Sequence, residues 1–257
     1  AGLPNPAKYD TSQSGVVLDE LTALVWQATP DPAYYSIDEG AGVCEALVLS
    51  GKTDWRLPSR LELVSLIDFT VEEPTIDRSA FGAKESGSFL SSSAAIGAPG
   101  VWYVDFVNGR CVRGWKFQIG RVRCVRGEPF APKFEIGLGD LQGTVADATT
   151  GLVWQQDATS DYLSMEEASS YCGSLTLAGS QGWRLPSVKE LLVVADDSHS
   201  VPAIDETLFG PEYNVQVLFP FTTSSTVFGA PGLSWQVDFL DGHTQRFASP
   251  AYVRCVR

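Results

Sequence analysis

Two stretches of the 257-residue chain repeat one another, and this repeat limits the possible folds more than any other feature of the sequence. Residues 17–82 and 145–210 align without a gap at an offset of 128 residues, and 27 of these 66 positions are identical. Self-similarity at this spacing indicates a duplicated domain, and each copy is long enough to bury a core of its own. We therefore predict two tandem domains, residues 1–126 and 127–257.

Each copy combines signals for helices with signals for strands. Ser36 and Ser59 each precede a glutamate by three residues, and the second copy repeats both pairs; such capping boxes mark the start of a helix. Behind the first box, apolar residues recur at helical spacing in the order Ile37, Ala41, Cys44 and Val48. Later in each copy, alternating apolar residues flank the turn pairs Asn108-Gly109 and Asp241-Gly242, a pattern typical of β-hairpins. The sequence thus predicts an α+β fold, with two short helices and a small, mostly antiparallel sheet in each domain.

The cysteines predict one disulfide in each copy. Cys44 and Cys172 are equivalent, as are Cys124 and Cys255, so the economical pairing is Cys44–Cys124 and Cys172–Cys255. Each bridge would tie the first helix to the last strand and, by closing a loop of about 80 residues, contribute on the order of 4 kcal/mol. Duplicated cysteines at both ends of a domain suit an oxidising compartment, and four buried thiols in a cytosolic protein are the alternative. Cys111 has no counterpart and is predicted to be a free thiol or a link to another chain.

Charge is distributed unequally between the two predicted domains. The chain carries a net charge of −13, with 12 Lys and Arg against 15 Asp and Glu in residues 1–126 and 6 against 16 in residues 127–257. These counts give −3 and −10, which argues against nucleic acid as a partner because phosphate binding needs a basic surface. The stretch Asn108–Arg126 is the exception, since it holds six cations and no acid.

Neither a membrane span nor a leader is expected from the sequence. No apolar run approaches the roughly 18 residues that a spanning helix needs. The chain opens without a charged-then-apolar leader, so we expect a signal peptide to be absent or already removed. Together with the disulfides, this predicts a secreted protein, extracellular or at the cell surface, with the periplasm as an alternative.

The predicted hairpins hold the residue types that bind sugars. Aromatic rings stack on the faces of ligands, and Arg or Lys pairs with sulfate or carboxylate groups. The candidate ligand-binding residues are Trp102, Tyr103, Asn108, Arg110, Trp115 and Lys116 in the first copy and Trp235, Asp238, His243 and Arg246 in the second. The alternative is that Trp102 and Trp115 belong to the core and that the cations neutralise nearby acids.

Catalytic and metal-binding patterns are not found in the sequence. His199 and His243 lie outside any metal spacing, and no nucleophile elbow, P-loop or dinucleotide fingerprint is present. Arg56 and Glu62, repeated as Arg184 and Glu190, form a potential catalytic ion pair, but we interpret them as a structural pair that holds a helix start. No cofactor is predicted, although calcium is possible, with Asp68, Asp77, Asp196 and Asp205 as oxygen ligands that Asx turns and helix termini use equally.

The ordered motifs of each copy resemble a known family. In order, they are Thr-x-Leu-Val-Trp-Gln, Trp-Arg-Leu-Pro-Ser-x-x-Glu-Leu, Pro-x-Ile-Asp-x-x-x-Phe, Trp-x-Val-Asp-Phe and Val-Arg-Cys-Val-Arg. This combination resembles the Lcl C-terminal domain family, which is named for the terminal domain of a collagen-like bacterial adhesin, and it covers nearly the whole chain twice. The element Arg-Leu-Pro-Ser-x-x-Glu is also similar to one in formylglycine-generating enzymes. The resemblance implies two tandem C-type lectin-like domains in a secreted bacterial protein that serves in adhesion or surface recognition.

Two departures limit what the resemblance implies. Glu73-Pro74-Thr75 is similar to the calcium and sugar motif of classical C-type lectins, but the second copy has Val201-Pro202-Ala203 and no Trp-Asn-Asp follows in either copy. Formylglycine-type oxidation needs thiols beyond the structural pair, and the second copy has none. We therefore predict a non-enzymatic adhesin or lectin-like module that binds glycans or another surface component. The alternative is self-association into an extracellular filament through the basic stretch of domain 1 and the acidic domain 2.

Overall fold

A computed structural model shows two compact units, and the chain passes from the first to the second between Phe130 and Ala131, compared with residues 126 and 127 in the sequence prediction. Both units combine short helices with small antiparallel sheets, which confirms the predicted α+β class. The structure describes residues 7–73, 75–82, 87–95, 100–115, 117–199, 201–210 and 220–257.

Capping boxes begin the two predicted helices of each unit. In the first unit, Ser36 caps α1 (Ile37–Glu45) and Ser59 caps α2 (Arg60–Ser65), and in both cases the box is complete. The second unit repeats these caps at Ser164 and Ser187. The prediction that Val48 continues the apolar face of α1 is wrong, because the helix ends at Glu45 and Val48 is 69% exposed.

Each unit has a third, four-residue helix that the sequence patterns did not predict. In the first unit this is α3 (Arg78–Phe81), and it begins where the Asp77 carboxylate accepts hydrogen bonds from the amides of Ser79 and Ala80. The helices of the second unit are α4 (Met165–Ser174), α5 (Val188–Val194) and α6 (Glu206–Phe209). A helix this short carries no apolar periodicity, so its aspartate cap is the remaining signal.

The strands of the first unit form two antiparallel sheets. One sheet has the order β1-β2-β3-β7 and the other β4-β5-β6. Their bounds are β1 (Tyr9–Asp10), β2 (Val16–Asp19), β3 (Val25–Gln27), β4 (Ser88–Ala95), β5 (Gly100–Asp105), β6 (Arg110–Trp115) and β7 (Val125–Arg126). Helix α2 packs on β4 and β5, so the middle strand of the second sheet is covered.

The second unit repeats this arrangement with two three-stranded antiparallel sheets. Their orders are β10-β9-β8 and β11-β12-β13. The bounds are β8 (Phe134–Ile136), β9 (Thr144–Asp147), β10 (Leu152–Gln155), β11 (Pro220–Thr226), β12 (Ser234–Asp238) and β13 (His243–Phe247). Near the end of the chain, Val256 forms bridges with Trp154 and Arg184. No helix in the part of the chain that the structure describes is long and apolar enough to cross a membrane.

Both predicted disulfides are confirmed. Cys44 is bonded to Cys124 and Cys172 to Cys255, with Cα–Cα distances of 5.4 and 5.5 Å, and all four residues are buried in the cores of their units. Cys111 lies in β6 outside both bridges and is fully buried. A link from Cys111 to another chain would require this strand to open, so burial favours the free-thiol alternative.

Candidate functional site

The predicted ligand-binding residues fall on equivalent hairpins of the two units. In the hairpin β5–β6, Trp102 pairs with Arg113, and in the hairpin β12–β13, Trp235 pairs with Arg246. The turn ends are also equivalent, since Asp105 pairs with Arg110 and Asp238 with His243. The hairpins therefore exist as predicted, but they divide the candidate residues between the core and the surface.

Three of the predicted aromatic residues lie in the core. Trp102, Tyr103 and Trp235 are at most 2% exposed, so the prediction that they stack on a ligand is wrong. The Arg60 guanidinium lies over the ring of Trp102, 4.3 Å from its centroid, and Arg246 lies 4.8 Å from that of Trp235. These cation–π contacts are internal to each unit. Successive residues of β5 are buried, so both faces of the strand are covered by other parts of the unit. The alternating sequence pattern predicted a strand with one face exposed to solvent.

Exposed apolar side chains cluster directly at the end of β6. Trp115 is 59% exposed and Phe117 80% exposed, and their rings are stacked with a centroid distance of 6.1 Å and an interplanar angle of 10°. Ile119, two residues further on, is 57% exposed. We call Trp115, Phe117 and Ile119 the aromatic patch. Trp115 was predicted, whereas Phe117 and Ile119 were missed because they lie beyond the hairpin motif.

Backbone and side-chain hydrogen bonds hold the aromatic patch in place. The amide of Gln118 donates to the carbonyl of Trp115 at 2.9 Å, and the Tyr103 hydroxyl donates to the carbonyl of Gln118 at 2.7 Å. Gly120 and Tyr35 exchange two backbone hydrogen bonds of 2.9 Å. The buried Tyr103 therefore acts on the surface indirectly, as the anchor of the segment that carries the patch.

The second unit has no equivalent patch at the end of its corresponding strand β13, where all residues are described. Residues 115–119 of the first unit correspond to Ala248-Ser249-Pro250, because the bridge of Gly120 to Tyr35 is repeated by Ala251 and Leu163. The connection is two residues shorter there, and Phe247 at 49% exposure is its nearest large apolar residue. A comparison of the two copies downstream of the hairpin would have found this difference from sequence.

The basic stretch Asn108–Arg126 places fewer charges on the surface than the sequence predicted. Arg123 is fully buried and donates to the carbonyls of Gln27 and Ala28 at 2.7 Å each, while Arg126 pairs with Asp54. Arg110 is exposed at the hairpin turn, and Arg113 and Arg121 are half-buried. Lys116 lies outside the described residues. The predicted patch of six cations is therefore too large, and the filament alternative loses two of the charges on which it depended.

The turn ends of the two hairpins differ in chemistry. In the first unit, the Asn108 side chain accepts from the amide of Arg110 at 3.0 Å and donates to Asp105 at 3.3 Å. In the second unit, Nδ1 of His243 lies 2.6 Å from a carboxylate oxygen of Asp241. Burial raises the pKa of Asp238, and the nearby Asp241 carboxylate adds to the shift. The first turn therefore presents a cation, and the second presents carboxylates beside a histidine.

The repeated Arg–Glu pair is hydrogen-bonded in both units, through both terminal nitrogens of Arg56 to Glu62 and of Arg184 to Glu190. Each carboxylate oxygen of Glu62 accepts two hydrogen bonds, from the two terminal nitrogens of Arg56 and from the amides of Ser59 and Phe130, at 2.6–3.0 Å. Burial disfavours the charged form of Glu62, but these donors outweigh it and hold the pKa of Glu62 below its ordinary value. A carboxylate whose acceptor positions are filled has none left for a substrate.

One carboxylate oxygen of each candidate calcium ligand takes part in a local turn. Asp68, Asp77, Asp196 and Asp205 each accept a hydrogen bond from the amide two residues further on, at 2.7–2.9 Å. Among the residues that the structure describes, no group of three or more His, Cys, Asp or Glu side chains is arranged to hold a metal ion. The calcium prediction therefore gains no candidate site in that part of the chain.

Comparison with known proteins gives one match that repeats along the chain. The family model described as the Lcl C-terminal domain matches residues 15–126 and again residues 143–257. A search of curated proteins finds no significant match.

Proposed function

Because this chain belongs to the Lcl C-terminal domain family, with two tandem copies of that domain, we propose that it is a secreted bacterial surface protein that recognises glycans without catalysing a reaction. The aromatic patch of the first unit is the proposed contact surface. The family is named for the terminal domain of a bacterial adhesin, which supports a function in adhesion or recognition. The geometry of the patch supports it as the contact surface.

The single observation that carries the proposal is the exposed stack of Trp115 and Phe117. Large aromatic side chains are normally buried, and an exposed cluster of them marks an interaction site. Their rings offer the flat apolar surface on which the C–H face of a sugar packs. Arg110 is exposed at the turn end of β6, and Trp115 lies at the other end of the same strand. Arg110 therefore adds a donor for the carboxylate or sulfate groups of an acidic polysaccharide that extends along the hairpin.

The proposed absence of catalysis is supported by the state of the ionisable groups. The acceptor positions of Glu62 are filled, and Asp68 is held in an Asx turn with Thr70. Turnover of a glycan, abolished by a substitution at Glu62 or Asp68 with the fold intact, would contradict this part of the proposal.

The proposed secretion is supported by the two disulfides. Each closes a loop of about 80 residues, and removal of a native disulfide from a small secreted domain typically costs about 2–5 kcal/mol. Such bonds persist in oxidising compartments and are rare in the cytosol.

A glycan array with the full chain tests the proposal. The array should include neutral, uronate-containing and sulfated polysaccharides, and the double variant Trp115→Ala plus Phe117→Ala should lose binding at least tenfold, about 1.4 kcal/mol. Phe247→Ala, an exposed aromatic residue of the second unit, is the control and should bind normally.

A second pair of variants tests the contribution of charge. Arg110→Ala plus Lys116→Ala should weaken binding to sulfated and uronate glycans and make it less sensitive to salt. Silence of the wild-type chain across the array, or binding that neither pair of substitutions weakens, would contradict the proposed function.

A further inference from the structure

A pocket of about 390 Å³ lies on one face of the sheet β10-β9-β8 in the second unit. Ile136, Leu138 and Leu141 line it, although they are 40%, 80% and 53% exposed. A cavity of this size accommodates a small ligand, and exposed apolar side chains around it mark an interaction surface. The charged residues of the pocket indicate which ligand fits.

One row of paired residues crosses the sheet beneath the pocket. Glu135 pairs with Ala146, which pairs with Val153. Val153 in turn exchanges two backbone hydrogen bonds of 2.9 Å with Arg257. Residues paired in this way share one face of a sheet, and all four line the pocket. At about 5 Å for each antiparallel pair, the Cα atoms of Glu135 and Arg257 lie roughly 15 Å apart. The row therefore has an acid at one end, a cation at the other and an apolar floor between them.

The two charged groups at the ends of the row are exposed and available. Within the part of the chain that the structure describes, neither the Glu135 carboxylate nor the Arg257 guanidinium forms an ion pair or a hydrogen bond. The guanidinium lies 5.8 Å from the ring centroid of Trp183, which belongs to the pocket wall. A ligand with a carboxylate and an ammonium group finds a counter-charge for each, and no existing ion pair has to break.

The same row in the first unit is filled and paired. Its members are Asp10, Leu18, Val25 and Arg126. Arg126 forms an ion pair with Asp54, whereas Gly182 stands at the position of Asp54 in the second unit. The carboxylate of Asp10 accepts from a neighbouring amide at 2.8 Å. Leu18 stands where the second unit has Ala146, so the floor of the first row is occupied by a larger side chain. The pocket with two unpaired charges therefore belongs to the second unit.

A longer connection builds the apolar wall above this floor. Residues 135–144 are three more than their first-unit equivalents, residues 10–16. The amide of Gly137 donates to the carbonyl of Thr144 at 2.8 Å, and the hydroxyl of Thr144 donates to the carbonyl of Leu141 at 2.6 Å. These bonds fix the connection before a ligand arrives, so binding costs less conformational entropy.

We propose that this pocket binds a zwitterion whose ammonium and carboxylate groups are separated by an apolar chain, as in a C-terminal lysine of a polypeptide or a free ω-amino acid. The carboxylate pairs with the Arg257 guanidinium, which donates two parallel hydrogen bonds, and the ammonium group donates to Glu135. The apolar chain lies over Ala146 and Val153. An α-amino acid, whose charges are adjacent, does not span the row. The site rests neither on the aromatic patch nor on glycan binding.

Calorimetric titration of the full chain with 6-aminohexanoate tests the proposal. Hexanoate and hexylamine each carry one of the two charges and should bind at least about tenfold more weakly. Arg257→Gln and Glu135→Gln should each weaken binding of 6-aminohexanoate at least about tenfold, because each removes one counter-charge. Arg126→Gln and Asp10→Asn make the matching changes in the row of the first unit and should leave binding unchanged.

A second variant and two peptides define the site and the source of the ligand. Ala146→Leu introduces the floor residue of the first unit and should abolish binding, with thermal unfolding to show that the variant is folded. Peptides that end in lysine are titrated with a free or an amidated carboxyl end. Binding of the free-ended peptide alone assigns the end of a polypeptide, and binding of 6-aminohexanoate but of neither peptide assigns a free ω-amino acid.

Three results would overturn the proposal. They are no binding of 6-aminohexanoate, equal binding of hexanoate or hexylamine, and binding that survives both Arg257→Gln and Glu135→Gln. The double variant of the aromatic patch should bind 6-aminohexanoate normally, so the failure of this site and the failure of the proposed function are observed separately.

Discussion

Arg123 and Arg254, the arginines of the repeated Val-Arg-Cys motif, bring positive charge into the cores of the two units. Arg123 donates to the carbonyls of Gln27 and Ala28 at the end of β3, and its guanidinium lies 4.7 Å from the ring centroid of Phe81. Arg254 makes the equivalent contacts with the carbonyls of Gln155 and Gln156 and with the ring of Phe209. The arginine of the motif therefore has a structural role in both units. Counting charges along the sequence wrongly places this buried arginine on the surface.

The buried carboxylate of Glu62 predicts a specific dependence of stability on pH. The pKa of Glu62 is lower in the folded chain than in the unfolded chain, so its contribution to stability is present above roughly pH 4.3 and is lost as the pH falls through the folded pKa. Glu62→Gln should lower the free energy of unfolding at pH 7 by about 3 kcal/mol, because Arg56 loses its partner. It should also flatten the fall in stability between about pH 5 and pH 3.

Urea denaturation at pH 7, 5 and 3.5 measures this effect, with Glu39→Gln as the control. Glu39 occupies the same position of a capping box but is exposed, so its replacement should cost less than about 1 kcal/mol. Equal losses for the two variants, or an unchanged pH profile for Glu62→Gln, would contradict the account.

Gly114 has a steric role in placing the aromatic patch. A Cβ atom at this position would lie 2.3 Å from Cε2 of Tyr103, the residue whose hydroxyl anchors Gln118. Gly114→Ala should therefore lower the free energy of unfolding by about 1–3 kcal/mol and weaken glycan binding. Gly42→Ala is the control, since a Cβ there meets no atom within 4 Å and should stabilise α1 by about 0.5–1 kcal/mol. Destabilisation by both substitutions to the same extent, in thermal unfolding, would count against this role.

At the scale of helices and strands, the sequence predicts those features that depend on residues close together in the chain. The capping boxes at Ser36 and Ser59 place the helix starts, and the turn pair at Asn108 places the hairpin, because each depends on residues close in sequence. The burial of Trp102 was not predictable in the same way. It depends on the packing of α2 against β5, which lies 40 residues further along the chain. An aromatic residue suits a strand equally well whether its ring faces solvent or packs under a helix, so the sequence of β5 does not show which.

The burial of Cys111 within β6 predicts its reactivity. Its side chain is 0% exposed, so iodoacetamide should not modify it in the native chain and should add one equivalent in denaturant. Arg110→Cys places a thiol at the exposed neighbouring position and should react at once under native conditions. Rapid native labelling of Cys111, or a disulfide-linked dimer on a non-reducing gel, would show that the strand opens or that the thiol is exposed.

At the scale of the whole molecule, duplication has preserved the scaffold and changed the surface. Both units keep the disulfide, the buried arginine and the Arg–Glu pair, and the sequence predicted the first and the last of these from equivalent positions. The candidate site was only partly predictable. Trp115 was found from its residue type, but Phe117 and Ile119 become a surface only when the fold turns the segment outward.

The central claim is that the aromatic patch, on a non-catalytic scaffold, carries glycan recognition. The most direct test exchanges the short segment that follows β6 in the first unit with the segment that follows β13 in the second. In one chimera, Ala-Ser-Pro replaces residues 115–119. In a second chimera, the original residues 115–119 also replace residues 248–250, between Phe247 and Ala251. The account predicts that the first chimera folds, keeps both disulfides and loses binding to the glycan found on the array, and that the second regains part of it. Undiminished glycan binding by a correctly folded first chimera would contradict the claim.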